Sequence, residues 1–231
     1  MFTPILGILP LAQRNLWSKL VQIPKHFVLY GGTAIALRLG HRESVDFDFL
    51  SEVVLGDAGK ELLMGIAWLK GAAVLQNDVN TLTVSVTLDG APIKLSFFGG
   101  IRNGCVEKPD KTDDDVICVA SMDDLFAHKL KVIHDRAEGK DYEDIAVMLS
   151  NGQNLAQGLA AREALFGSSV PAMVTLKALS YFSDINEPWR LTDAMKSAIT
   201  DAIQRLPNQW EPVTIISHSL GCTPPDMPES K

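Results

Sequence analysis

Eight consecutive residues, Thr81-Leu-Thr-Val-Ser-Val-Thr-Leu88, alternate polar and apolar without exception and run directly into Asp89-Gly90. Threonine and valine are stiff at χ1 and pack well on a pleated surface, so this period-2 run reads as a half-buried strand. Asp-Gly supplies the two left-handed residues of a tight hairpin turn. The return strand places Ile93, Leu95 and Phe97 on one face and Lys94, Ser96 and Phe98 on the other. The chain must therefore contain a β-meander, not a βαβ crossover.

Around this hairpin the pattern mixes helix and strand, with no internal repeat. The spacing predicts an amphipathic helix over Leu11 to Val21, a short apolar strand over His26 to Tyr30, and a helix over Thr33 to Leu39 that Gly40 ends. In Val45 to Leu50 the alternation sends Val45, Phe47 and Phe49 one way and Asp46 and Asp48 the other. A helix over roughly Ala58 to Leu69 and a short strand over Ala72 to Leu75 precede the hairpin. Lys108 to Asp115 reads as a charged surface loop before a strand over Val116 to Ala120. Ser121-x-x-Asp124 resembles a capping box and opens a helix expected to reach about Glu138, with Gly139 as its stop. Asp141-x-x-Asp144 then caps a second helix through about Leu149, and three further helices are expected over Leu155 to Phe166, Val170 to Phe182 and Thr192 to Arg205. The fold class is α+β: a mixed β-sheet core with flanking helices over 1–120, a helical region over 121–220 that completes the site and packs on the core, and a disordered tail over 221–231.

Composition narrows the functional classes. With 46% hydrophobic and 21% charged residues among 231, this is an ordinary globular chain. Its apolar stretches are interrupted well short of the roughly 18 residues a membrane span needs. The apolar N-terminus lacks a basic region and a cleavage pattern, so it is not read as a signal peptide and the expected compartment is the cytoplasm. Three cysteines, Cys105, Cys118 and Cys222, show no Cys-x-x-Cys spacing and are expected as reduced thiols. His41, His128 and His134 have no metal-ligand spacing. The formal net charge of -7 argues against a broad face for duplex DNA, although a local pocket can still hold a phosphate or a tRNA end.

The chemistry-bearing stretch is Leu29-Tyr-Gly-Gly-Thr33, followed by Asp46-Phe-Asp48. A glycine pair between strand and helix lets the backbone approach a phosphate, whose charge meets the unsatisfied N–H groups of the helix N-terminus. Gly31 and Gly32 fill that role, and Thr33 adds a hydroxyl. Two aspartates on one strand face can hold magnesium, which prefers carboxylate oxygen and bridges to substrate phosphates. Downstream, Lys129 and Arg136 lie seven positions apart, on one face of a helix, where both could aim at the same phosphate.

Gly31-Gly32-Thr33 with Asp46-x-Asp48 resembles the polymerase-β-type nucleotidyltransferase signature. The fuller stretch Gly-Gly-Thr-Ala-Ile-Ala-Leu-Arg-Leu-Gly-His-Arg-Glu-Ser-Val-Asp-Phe-Asp-Phe is closer still to the AbiEii/AbiGii toxin family. A second match, Lys129-Leu-Lys-Val-Ile-His-Asp-Arg136 followed by Lys140-Asp141-Tyr-Glu-Asp144, resembles that family's downstream block. The resemblance covers about Phe27 to Leu149. It implies a nucleotidyltransferase core acting on a nucleoside triphosphate with Mg2+: Gly31, Gly32 and Thr33 on the triphosphate, Asp46 and Asp48 on the metal, Lys129 against phosphate charge, and Asp144 with Asp141, Arg136 and Lys140 completing the site. It further implies a bacterial type IV toxin–antitoxin or abortive-infection toxin, with a cognate antitoxin as partner and a tRNA end or a protein side chain as acceptor.

One departure stands out. Transferases of this type place a third carboxylate on a neighbouring strand, and here the candidate strand offers Lys94 and Ser96. A missing general base costs about 10²–10⁴ in rate. Three readings therefore stand on the sequence: an active nucleotidyltransferase, a catalytically degenerate nucleotide- or RNA-binding module on the same fold, and an interaction protein whose C-terminal helices bind a partner subunit while the acidic strand face is merely solvated.

Overall fold

A computed structural model describes residues 1–136, 138–183, 185 and 191–222. Among them seven strands form one mixed sheet: β1 (Val28–Tyr30), β2 (Phe47–Leu50), β3 (Ala73–Asp78), β4 (Thr81–Leu88), β5 (Ala91–Phe98), β6 (Asp110–Lys111) and β7 (Cys118–Val119), in the order β3-β4-β5-β2-β1-β7-β6. The hairpin forms as its alternation predicts. β4 pairs antiparallel with β5 from Thr81 opposite Phe98 to Leu88 opposite Ala91, and Asp89 and Gly90 both adopt positive φ (52° and 77°) at the turn.

The register then extends the apolar face across three strands. Leu82 faces Phe97 and Val84 faces Leu95, while the parallel neighbour β2 sets Phe47 against Leu95 and Phe49 against Phe97. These side chains are buried, and the Phe49 and Phe97 rings stack at 5.5 Å. On its other side β2 runs antiparallel to β1, and β1 runs parallel to β7. Helix α1 (Leu11–Trp17) continues into a 3-10 turn, Ser18–Gln22; α2 (Gly31–Leu39) follows β1 directly, and α3 (Gly56–Met64) follows β2.

Several expectations need correcting here. β2 begins at Phe47, and Val45 is exposed ahead of it. The carbonyls of residues 45 and 46 accept hydrogen bonds from the Gln13 amide (3.1 Å) and the Thr33 hydroxyl, which draws this backbone out of the ladder. The expected loop Lys108 to Asp115 contains β6, a two-residue edge strand too short to leave a periodic trace. Cys118 and Cys222, expected as thiols, are joined as a disulfide with Cα atoms 6.1 Å apart. Their sequence separation of 104 offers no spacing signal. Cys105 is buried. Of the expected tail, 223–231 lies outside the described residues.

The chain divides into two compact units. The first comprises Met1–Gly104, Lys108–Ala120 and the chain from Ser217, and holds the whole sheet. The second comprises Cys105–Glu107 and Ser121–Ile216 and is helical: α4 (Met122–Val132), α5 (Gly139–Ser150), α6 (Leu155–Phe166), α7 (Ala172–Ser180) and α8 (Asp193–Gln204). Ser121 caps α4, accepting a bond from the Asp124 N–H at 3.0 Å, while the Asp124 carboxylate accepts the N–H groups of Val106 and Glu107 at 3.1 Å each. Burial holds the Asp124 carboxyl above the usual carboxylate range despite these bonds. Helix α4 stops at Val132, not at Glu138, and Gly139 opens α5 instead of closing α4. Asp141 and Asp144 consequently sit inside α5, fully buried, and do not cap it. No helix among the described residues is long and apolar enough to cross a membrane.

Within the helical unit α6 meets α4 at Gly158. A Cβ there would stand 2.4 Å from the Phe126 ring and 2.9 Å from Leu130. The helices approach so closely because this position is bare, and a methyl must displace buried ring atoms. Gly158→Ala is expected to destabilise the protein by about 1–3 kcal/mol, read as a lower urea midpoint at unchanged m-value.

His128, also on α4, lies edge-on to Phe166 at 4.9 Å. Burial, with a contribution from Lys131, lowers its pKa from 6.5 to about 4. The folded state thus keeps the ring neutral where the unfolded chain takes up a proton, so stability is complete above pH 6.5 and is lost as pH falls towards 4. The full window is worth about 3 kcal/mol. Urea midpoints measured between pH 7 and pH 4.5 should fall for the wild type and fall less for His128→Phe.

Candidate nucleotide site

Tyr30, the last residue of β1, pairs with Asp48 of β2, which brings the turn at the start of α2 beside the Asp48 side chain. Gly31 has φ +73°, and a Cβ on it would lie 3.0 Å from Asp48 Oδ2. Both the backbone conformation and the close carboxylate demand glycine there. Gly32 and Thr33 follow in the first turn of α2, whose leading N–H groups have no partner within the helix. Asp48 is half-buried on the strand, and Asp46 stands at the strand entrance with 42% of its side chain exposed.

The Thr33 side chain is engaged within the protein. It is buried, and its hydroxyl meets Ser44 Oγ at 2.7 Å and donates to the Asp46 carbonyl. That bond ties the first turn of α2 to the segment entering β2, and so sets where Asp46 stands. The contribution of Ser44 was legible from its closeness to Asp46-x-Asp48, yet sequence reasoning passed over it. That of Gln13, which holds the Val45 carbonyl from 32 residues away, left no local signal.

Lys94 completes this half of the site. β2 and β5 are parallel neighbours with Asp48 opposite Ser96, and Lys94 Nζ lies 3.7 Å from Asp46 Oδ2. The strand carrying Lys94 and Ser96 is therefore the one beside the two aspartates. Asp46 and Asp48 supply hard oxygen donors of the kind magnesium takes one or two at a time, leaving the rest of its shell to water and substrate phosphate. No group of three or more His, Cys, Asp or Glu residues gathers as a metal site among the described residues.

The downstream block forms a second cluster, within the helical unit. The Lys129 ammonium, nearly buried, lies 2.6 Å from Asp141 Oδ1 and 2.7 Å from Asp144 Oδ2. Arg136, half-exposed beyond the end of α4, donates from Nε to Asp141 Oδ2 at 2.9 Å. Lys129 and Arg136 do converge, though not along one helix: the chain turns after Val132, and both reach the same carboxylate. Lys140 pairs with Glu138 at 2.9 Å. Two cations against two buried carboxylates make a balanced set in which each charge is compensated.

The family described as "Nucleotidyl transferase AbiEii toxin, Type IV TA system" matches residues 16–211. The uncharacterized protein aq_aa25 of Aquifex aeolicus (strain VF5) is 32% identical over 178 residues, covering 76% of this chain and 84% of that protein. Among solved structures, MenT4, the nucleotidyltransferase toxin Rv2826c of Mycobacterium tuberculosis H37Rv, superposes with a TM-score of 0.61 at 16% identity, over 85% of this chain and 83% of that one, a likeness of fold. The match spans most of the chain, both the sheet unit and the helical unit, and the chain belongs to the AbiEii nucleotidyltransferase toxin family.

Proposed function

We propose that this protein transfers a nucleoside monophosphate from a nucleoside triphosphate to an acceptor hydroxyl, with magnesium, as the toxin of a type IV toxin–antitoxin or abortive-infection pair. The observation that carries the reading is the packing of the Asp48 carboxylate against Gly31 at the start of α2, with Asp46 held at the strand entrance by Thr33. The leading N–H groups of α2, at Gly32 and Thr33, face the triphosphate, whose negative charge they favour. Asp46 and Asp48 hold the cation, which when bound supplies charge neutralisation on the phosphates. A hydroxyl of the acceptor, a tRNA end or a protein side chain, attacks the α-phosphorus in line; the new O–P bond forms as the bond to the bridging oxygen breaks, and pyrophosphate leaves. The Thr33 side chain positions Asp46, and Thr33 meets phosphate through its backbone N–H alone.

In the helical unit, Asp141 and Asp144 hold the Lys129 ammonium in one place, and Arg136, the more exposed cation, is the one offered to a phosphate. Lys140, engaged with Glu138, has a supporting part. A cognate antitoxin is the expected protein partner. The ion pair of Lys94 with Asp46, where a third carboxylate would serve as base, favours a second reading, in which the nucleotide binds and is not turned over.

Labelling separates the two. The purified protein, incubated with each α-labelled nucleoside triphosphate, Mg2+ and total tRNA, should place label on RNA or on protein. Asp46→Ala should lower that signal at least about 10²-fold with an unchanged melting temperature, because a half-exposed carboxylate contributes little to folding. Thr33→Val, which releases Asp46 from its anchor, should lower transfer by up to about 10²-fold. No label in any lane, with nucleotide-dependent thermal stabilisation retained, would establish the binding module.

A further inference from the structure

We propose that Lys94 limits the Asp46/Asp48 site to a single divalent cation, its ammonium standing where a carboxylate would be needed to hold a second. The inference rests on the proposed cation role of the two aspartates and concerns what the neighbouring strands add to them. In the parallel pairing of β2 with β5, Phe47 faces Leu95 and Asp48 faces Ser96, and just ahead of this ladder the Lys94 ammonium reaches the Asp46 carboxylate. The next strand out, β4, sets Ser85 opposite Lys94 and Thr83 opposite Ser96. On the other side, β1 sets Tyr30 opposite Asp48. The positions aligned with Asp48 and with Lys94 on the neighbouring strands thus bring hydroxyl groups, and none of them is a carboxylate.

Two-ion sites hold their metals about 3.5–4 Å apart, bridged by a shared carboxylate. An ion bridged by Asp46 would therefore sit within a few ångströms of the Lys94 ammonium, itself 3.7 Å from Asp46 Oδ2. Magnesium also needs a near-octahedral shell of oxygen, and an ammonium offers no lone pair to it. The Lys94 ammonium offsets part of the negative charge that Asp46 brings to the site, which favours one divalent ion over two. Lys94 thus supplies as a fixed monovalent charge part of what a second ion would bring, on a flexible stem that reaches Asp46 from the adjacent strand.

Mn2+ titration of the full chain without nucleotide, followed by the electron paramagnetic resonance of the free ion, tests this without recourse to activity. The wild type should bind one Mn2+. Lys94→Gln should bind one about tenfold more tightly, since a positive charge has been removed beside the site. Lys94→Asp should bind two. Melting curves of each variant confirm folding, which a half-exposed side chain should leave intact. Two ions on the wild type, an unchanged affinity in Lys94→Gln, or a single ion on Lys94→Asp would each overturn the proposal. Asp46→Ala and Asp48→Asn locate the failure: if they abolish Mn2+ binding while the Lys94 variants do not respond, the inference alone is wrong. If Mn2+ binds equally well without the aspartates, or binds to no variant, the cation site itself is wrong and the inference falls with it.

Discussion

The four residues of β2 are the constraint on which the first unit turns. The strand lies between an antiparallel neighbour and a parallel one, so its register is fixed from both sides. Phe47 and Phe49 are fully buried, each worth roughly 1.5–3 kcal/mol on removal from water, and a slip of one residue would exchange them with Asp48 and Leu50. The core therefore determines the direction of Asp48. Because Tyr30 pairs with Asp48, the same register also delivers the glycine turn to the carboxylate. Hydrophobic burial on one face and carboxylate placement on the other are two outcomes of a single alignment.

The helical unit meets a different difficulty. Asp141 and Asp144 have no solvent exposure, and an unpaired carboxylate at such a position would cost several kcal/mol. Lys129 engages both, and Arg136 shares Asp141, so the cluster is tolerated as a whole where no single member would be. Such a set adds little to stability over an apolar substitute; its value lies in specifying where the charges stand. It also accounts for the helix boundary. Were α4 to continue past Val132, Arg136 would follow the helix axis; the turn instead lets it reach Asp141.

What was legible in the sequence was local. The β4–β5 hairpin, the glycine turn after β1 and α6 are written in short-range periodicity and turn chemistry, and the structure shows them within a residue or two of their predicted bounds. The spacing of Asp46 and Asp48 was equally visible, being a property of three residues. What escaped depended on partners distant in the chain. Thr33 looked like a free hydroxyl because Ser44 and the Asp46 carbonyl meet it only once α2 folds against the segment entering β2. Asp141 looked like a helix cap because nothing nearby shows that Lys129, 12 positions back, would bury it. β6 and the pairing of Cys118 with Cys222 are likewise contacts between remote segments, and no periodicity records them.

The disulfide and its surroundings also bear on the order in which the protein can assemble. The first unit is not finished when the sheet is: Leu220 is buried in it, Ser219 donates to Glu52 at 2.6 Å, and Cys222 joins β7. All of this arrives after the whole helical unit has been made. At ribosomal speeds of about 5–20 residues per second, the intervening stretch of about 100 residues keeps the sheet waiting on the order of 5–20 s for its last segment. During that interval the helical unit, a contiguous insertion apart from Cys105–Glu107, can fold to completion while the unit that began first still lacks its closing piece. Synthesis order and completion order are thus inverted: the unit that begins first is sealed only after the inserted one has been made.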